Sequence, residues 1–569
     1  MIEGHLSRRI AEALSAAAPE FGLEPEAAAE TPIELSRPRQ KEHGDWATNV
    51  ALAVASRAGA NPRDVAEAIV RHLAPDDLVA SVEVAGPGFV NFRLAHRWLY
   101  GVLADVVARG EDYGRVQAEA AERVQVEFVS ANPTGPLHVG HARWAAIGDA
   151  LASLLEWRGH SVEREFYIND HGNQMELFGR SIAARYLGLF GREAEIPEGG
   201  YQGTYVTALA EEIAKEAGDR FVEAADGERV EFFRVEGERR MLAHQRAALE
   251  RFGVRFDVWF SERSLHESGA VESAIDRLRR LGHVYERDGA EWLRTTDFGD
   301  DKDRVLIRAN GEPTYLAPDV AYFLDKRARG FDRIIYLWGA DHHGYVKRMI
   351  AAVRALGEDP ATVEFVIGQF VNLTRAGEPV RMSKRTGELI DFDELLDEVG
   401  TDAARYTMLR QSADRTLEFD LEAVTRQSLD NPVYYVQYAH ARIASILRTA
   451  ADRGLERRPF ERVRAEELVH DAELDLLRKV AELEEALDVA ANQRAPHRLT
   501  RYAEELAAGF HRFYTECRVI GDDPELTQAR LWLSWATMRV VANALSILGV
   551  SAPESMERLN REDGEGMEP

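Results

Sequence analysis

The sequence predicts a multidomain α/β plus α protein: a small α/β N-terminal domain, a parallel-sheet domain with insertions, and a C-terminal helical bundle. Three observations predict it. At 569 residues the chain is too long for one hydrophobic core. From Arg123 onward, short hydrophobic runs alternate with amphipathic stretches of helical period, which is how a parallel sheet with right-handed crossovers reads. From about Phe392 the signals are almost only helical, and they are long and free of internal proline.

In order, Leu6–Ala18, Trp46–Ala58 and Pro62–Leu73 read as helices, and Val82–Leu94 as a hairpin closed by Gly86-Pro87-Gly88. His96–Arg109 adds a helix and Glu111–Gly114 a linker. Strand Val124–Val129 is followed by a Pro-Gly loop, a helix over Ala142–Arg158, strand Val162–Ile168, a polar loop over Asn169–Gln174, and a helix over Met175–Leu189. Gly191–Gly253 is charged and helical, an insertion. Phe256–Phe260 returns a strand and Val271–Leu281 a helix; Val284–Thr295 and Arg304–Asn310 form an antiparallel excursion. The second half follows: helix Ala317–Arg329, strand Ile334–Trp338, helix Val346–Leu356 and strand Val363–Leu373. Helices over Val433–Arg448, Ala472–Ala490, His497–Arg512 and Gln528–Leu548 then build the bundle, before an acidic tail from Asn560 that reads as disordered. The expected domains are 1–113, 114–375 with insertions at about 191–253 and 284–312, a connecting region at 376–425, and 426–569. Polar clusters fall after Val129, Ile168, Trp338 and Leu373, the strand ends where open α/β sheets hold ligands, so the middle domain is of Rossmann type.

Composition excludes several classes. There is no apolar run long enough for a membrane span and no apolar h-region near the N-terminus, so neither a membrane protein nor a secretory signal is expected. Cys517 is the only cysteine, which excludes an internal disulfide and a thiolate zinc site and points to a reducing cytoplasm. The formal net charge of −27 argues against nucleic-acid binding for the surface as a whole. It leaves room for patches at Arg37–Lys41, Arg375–Arg385 and Arg453–Arg464, which read equally as solvated faces.

Two stretches carry chemistry. In the first, strand, tight loop and helix start converge on His138-Val-Gly-His141, where unpaired N–H groups and the positive end of the helix dipole face an anion. The two imidazoles can donate to phosphate oxygens, and Gly140 leaves room for a purine ring; metal-binding and structural readings of the pair stand beside this one. The second is Arg381-Met-Ser-Lys384-Arg-Thr-Gly387, a Gly-bounded loop offering a cation, or simply a surface loop.

Together, a His-x-Gly-His loop after the first strand and a Met-Ser-Lys loop after the last resemble the paired motifs of class I aminoacyl-tRNA synthetases. Glu127–His141, Tyr167–Gln174, Pro313–Asp319, Trp338–Tyr345 and Asn431–Arg442 resemble the bacterial arginyl-tRNA synthetase version, in the family's order. The resemblance implies an ATP-dependent arginine–tRNA ligase that uses Mg2+ with ATP, cages no metal of its own, and acts on tRNA(Arg) as a cytoplasmic monomer. It places His138, His141 and Lys384 in catalysis, and His138, Gly140, His141, Asp341, His342, Met382, Ser383 and Lys384 at ATP. Glu127, Asn132, His138, Tyr315 and Asp319 fall at the arginine, whose planar cation suits carboxylates in fork geometry. Phe89 and Asn91 fall at the tRNA elbow, and Tyr435, Tyr438 and Arg442 at the anticodon. Phe89 and Asn91 equally complete a hairpin, and the tyrosine stripe equally reads as core. One departure matters: Arg381 stands where the general second motif begins with lysine, which puts the cation role on Lys384. Rival readings are a class I ligase for another amino acid or small amine, and a non-catalytic tRNA-binding paralogue.

Overall fold

The computed structural model describes residues 2–38, 40–118, 120–380 and 391–556. They fall into two compact units. One comprises Met1–Gly110, Thr449–Ala481 and Arg512–Thr537; the other comprises Glu111–Arg448, Glu482–His511 and Met538–Pro569.

In the first unit, helices Ile2–Ala17, Val50–Ala58 and Pro62–His72 bury Leu6, Ile10, Leu14, Val54, Val65 and Ile69 against a four-stranded antiparallel sheet. The hairpin Val79–Ala85/Phe89–Leu94 turns at Gly86–Gly88 as expected. The expected helix over Trp46–Ala58 is shorter: Trp46–Thr48 is a strand, with Trp46 opposite Phe92 and Thr48 opposite Val90. All three of its residues are buried, which satisfies helix and strand patterns alike.

The second unit is built on a five-stranded parallel sheet. Its elements are β1 (Arg123–Glu127), α1 (Val139–Trp157), β2 (Ser161–Ile168), α2 (Asn173–Leu189), β3 (Val258–Ser261), α3 (Leu316–Ala328), β4 (Arg333–Gly339), α4 (His343–Ala355) and β5 (Val363–Gly368). The spatial order is β5-β4-β1-β2-β3, every pair parallel. The order reverses between β1 and β4, and a doubly wound sheet opens its ligand crevice at that point, outside the strand carboxyl ends. The first insertion forms helices Thr204–Ala217 and Asp226–Arg251, packed with α2 around Phe178, Ile182, Tyr186 and Phe233. The second is the expected antiparallel sheet over Val284–Ile307.

Five further sequence expectations are corrected here. Strand β1 ends at Glu127, two residues short of Val129, because Val129 and Ser130 take left-handed backbone (φ 68° and 43°). Val363–Leu373 is two strands in two sheets. β5 stops at Gly368, where a Cβ would lie 1.5 Å from the Trp144 indole of α1; Val371–Arg375 then joins a small sheet with Glu378–Pro379 and Leu417–Asp420. Leu417–Asp420 itself lies in a region expected to be helical; its four alternating residues are too few to show a period in sequence. Helix Ala472–Ala490 is two helices, Asp471–Ala481 and Leu483–Asn492. The expected linker at Glu111–Gly114 is a 3-10 turn followed by buried Tyr113, whose carbonyl accepts from Asn543 at 3.1 Å. The acidic tail from Asn560 lies outside the described residues. No helix among the described residues is long and apolar enough to cross a membrane.

Candidate active site

Residues 128–138 run from β1 into α1 across the switch point. His138 caps α1: its Nδ1 accepts from the Gly140 N–H at 3.1 Å, and the Nδ1 of His141 accepts from the His138 N–H at 3.0 Å. An imidazole nitrogen that accepts carries no hydrogen, so in both rings the proton sits on Nε2. The rings lie 3.8 Å apart, centroid to centroid. A Cβ on residue 140 would come within 2.9 Å of the His138 ring, so glycine is what lets that ring fold over the helix start. The geometry puts two ring N–H donors at the positive end of the α1 dipole, a combination suited to phosphate.

The loop is held from the first insertion. Buried Gln245 donates to the carbonyls of Asn132 (3.0 Å) and Gly135 (2.8 Å), and the Tyr205 hydroxyl donates to that of Thr134 (2.9 Å). The Asn132 amide donates to Gln174 Oε1 at 2.6 Å. The start of helix Phe392–Val399 meets this loop: His138 bridges Asp391, and the Phe392 N–H donates to the Leu137 carbonyl at 3.0 Å. Arg381, Met382, Ser383, Lys384 and Arg385 lie outside the described residues.

At the end of β1 acidic side chains gather into a candidate substrate pocket, with Glu127, Glu165 and Glu262 buried and Asp319 half-buried. Glu127, at the end of β1, is in register with Glu165 on β2 and Tyr336 on β4. Its Oε2 accepts from the Lys326 ammonium at 2.6 Å and its Oε1 from the Ser130 hydroxyl at 3.1 Å. The left-handed turn at Ser130 aims that hydroxyl inward, where it also accepts from the Tyr167 N–H at 3.2 Å. Glu165 takes the Arg329 guanidinium and the Tyr322 hydroxyl. Asp319, one turn into α3, accepts from the Tyr345 hydroxyl. Burial raises the Asp319 carboxyl to about 6; the Tyr345 hydrogen bond opposes this and the charge on Glu127 adds to it. Glu262 accepts from Tyr167 and rises to about 7, by burial and then by the charge on Asp319. These are the conditions under which a carboxylate gains most from an incoming cation.

The sequence-predicted residues thus divide. The structure brings together His138, Gly140, His141 and Asn132 at the loop, with Glu127 and Asp319 at the pocket. Tyr315, at the start of α3, is 76% exposed. Asp341 and His342 form a short turn after β4, with His342 Nδ1 3.1 Å from Asp341 Oδ1. Phe89 stands exposed at the hairpin turn, but Asn91 is buried within its strand. Tyr435 and Tyr438 lie against His511, which burial depresses to about 4, and Arg442 donates to the Tyr438 hydroxyl at 3.1 Å. Sequence reasoning missed Ser130, Glu165, Gln245, Glu262, Lys326 and Tyr345. A lysine on the buried face of α3, seven residues from Asp319, is the one signal that a helical projection offers.

His171, Glu262 and His266 bring possible ligand atoms within 4.8 Å of one another. The two rings are stacked, 3.8 Å apart and 14° from parallel.

Three family models match the chain. They are the arginyl-tRNA synthetase N-terminal domain over residues 4–94, the class I (R) tRNA synthetase catalytic domain over 102–445, and the DALR anticodon binding domain over 436–556. An arginine–tRNA ligase of Moorella thermoacetica is 52% identical over 92% of this chain and 93% of its own length. That of Heliobacterium modesticaldum is 50% identical over 92% and 94%. The arginyl-tRNA synthetase of Thermus thermophilus, 23% identical, shares the fold over 96% of this chain and all of its own, with a TM-score of 0.75.

Proposed function

The chain belongs to the class I arginyl-tRNA synthetases, and on that premise we propose how its site joins arginine to tRNA. In the first step the arginine carboxylate attacks the α-phosphorus of ATP. The bond to the bridging oxygen breaks, and arginyl-adenylate and pyrophosphate form. In the second, a terminal ribose hydroxyl of tRNA attacks the adenylate carbonyl and AMP leaves. Mg2+ travels with the nucleotide as part of the substrate. The catalysis is positioning and charge stabilisation, with no covalent enzyme intermediate.

The observation that carries this reading is the juxtaposition at the switch point: two Nε2–H donors at the start of α1, above an acid pocket closed by Glu127 and Asp319. His138 and His141 donate to the phosphates as charge moves onto the leaving pyrophosphate, and Lys384 adds the cation. Gly140, Met382 and Ser383 line the nucleotide, with Asp341 and His342 at its rim. Asn132 and His138 hold the α-amino and carboxylate end. Glu127, Asp319 and Tyr315 receive the guanidinium, a planar donor fork that carboxylates match. Residues 1–113, through Phe89 and Asn91, meet the tRNA elbow; residues 426–569, through Tyr435, Tyr438 and Arg442, meet the anticodon. The protein works in the cytoplasm as a monomer.

ATP–pyrophosphate exchange with each amino acid, with and without tRNA(Arg), tests the reading. Exchange is expected with arginine alone. Equal exchange with lysine or glutamine would overturn the specificity, because those substrates leave the acid pair unmatched.

A further inference from the structure

The pocket holds more negative groups than one guanidinium can answer, and an internal cation answers one of them. Lys326 is fully buried on α3, two turns beyond Asp319. Its ammonium lies 2.6 Å from Glu127 Oε2 and is flanked by the rings of Tyr322 (4.0 Å to the centroid) and Tyr336 (3.9 Å). This is a cage of one carboxylate and two aromatic faces, with no path to water, and cation–π attraction is strongest where the charge is desolvated. Glu165, in register with Glu127 on the neighbouring strand, has its own cation in Arg329. The Asp319 carboxylate accepts from the Tyr345 hydroxyl, a neutral donor.

We propose that Lys326 is a positioning residue that sets the charge of the arginine pocket. It answers the charge of Glu127 and pins its Oε2, so that Glu127 meets the guanidinium as a fixed acceptor while Asp319, whose partner is the neutral Tyr345 hydroxyl, supplies unanswered charge. The inference rests on the arginine reading given above. A carboxylate has about four lone-pair sites, and Lys326 and Ser130 use one on each oxygen of Glu127, leaving an acceptor edge for substrate. The other titratable groups that act on this cluster are Glu262, Asp170, Tyr167 and His342, with Arg348 over the Tyr345 ring. Glu262 is driven toward its protonated form by burial and by Asp319. Without Lys326, a Glu127 so little exposed loses its counter-charge, and the carboxylate that should receive the guanidinium is left buried without its ion-pair partner.

The test is the KM for arginine in pyrophosphate exchange, with tRNA present, for wild type, Lys326→Met and Lys326→Met/Glu127→Gln, between about pH 6.5 and 8.5. Circular dichroism melts report folding. Lys326→Met is expected to raise the arginine KM by about tenfold or more, with kcat and the KM for ATP changing less than about threefold. The double variant, with no buried charge to strand, should recover part of the KM. A folded Lys326→Met with an unchanged arginine KM overturns the proposal. So does equal loss in kcat and both KM values, the signature of a merely structural lysine. If Lys326→Met does not fold, the double variant must fold and bind arginine; if it too fails, the lysine serves the fold and the proposal falls. Wild-type enzyme that does not exchange with arginine removes the parent reading before any variant is made.

Discussion

The proton positions of His138 and His141 follow from backbone geometry alone. Each Nδ1 is committed to an N–H of the helix start, so each ring can act as a donor through Nε2 without needing a second proton. The acid pocket is the opposite case, because its charge state changes near neutrality. Asp319 is raised to about 6 and Glu262 to about 7, chiefly by burial. A raised carboxyl resists ionising in the empty site, and a bound guanidinium favours the ionised form. Arginine binding is therefore strongest above the raised values and weakens as pH falls through them. The arginine KM at saturating ATP is expected to rise about tenfold or more on going from about pH 7.5 to about pH 5.5. A flat profile there would mean that neither acid faces the substrate.

At the scale of elements, the loop between β1 and α1 is a shared product of distant segments. Its own residues supply the sharp turn, including left-handed Val129, a strained state for a β-branched residue that surrounding structure must over-determine. The over-determination comes from the first insertion, where Gln245 grips two carbonyls and Tyr205 a third. That insertion reads in sequence as a charged helical decoration, yet it is part of the site's support. Gln245→Ala should strand two loop carbonyls at a cost of about 1–3 kcal/mol. Adenylate formation is expected to slow by about tenfold with the melting temperature lowered only modestly; an unchanged rate would show that the loop holds itself. The bridge between His138 and Asp391 ties the start of helix Phe392–Val399 to the first motif.

At the scale of the molecule, Arg405 is the counterpart of Gln245. Fully buried on helix Thr401–Leu409, it donates to the carbonyls of Leu548 (3.1 Å) and Phe252 (2.9 Å) and to the Asp149 carboxylate of α1. It thereby joins the end of the last helix and the end of the first insertion to the helix that carries the two histidines. Removing one partner of such a network leaves buried groups unpaired. Arg405→Ala should destabilise the unit by about 3–5 kcal/mol, read as a lower denaturant midpoint at constant slope. A loss below about 1 kcal/mol would mean that packing, not the arginine, holds these segments.

Much of this architecture was legible in the sequence, because its signals are local. Strand-and-helix alternation, the Pro-Gly loop before His138, the hairpin at Gly86–Gly88 and the antiparallel excursion are set by residues close to one another in the chain. The paired motifs carried the function for the same reason: each is one contiguous segment with its chemistry on its face. What misled was also local. Trp46–Thr48 satisfies two periods at once, Leu417–Asp420 is too short to show one, and the break at Gly368 exists because Trp144 comes to rest there. The sequence by itself determined the layered fold, the site's loops and the acidic residues that would meet a cation. Only the tertiary structure decided how those acids are charged. Lys326, Arg329, Ser130 and Tyr345 reach Glu127, Glu165 and Asp319 from other elements, and buried charge depends on distance and desolvation, which no local pattern encodes.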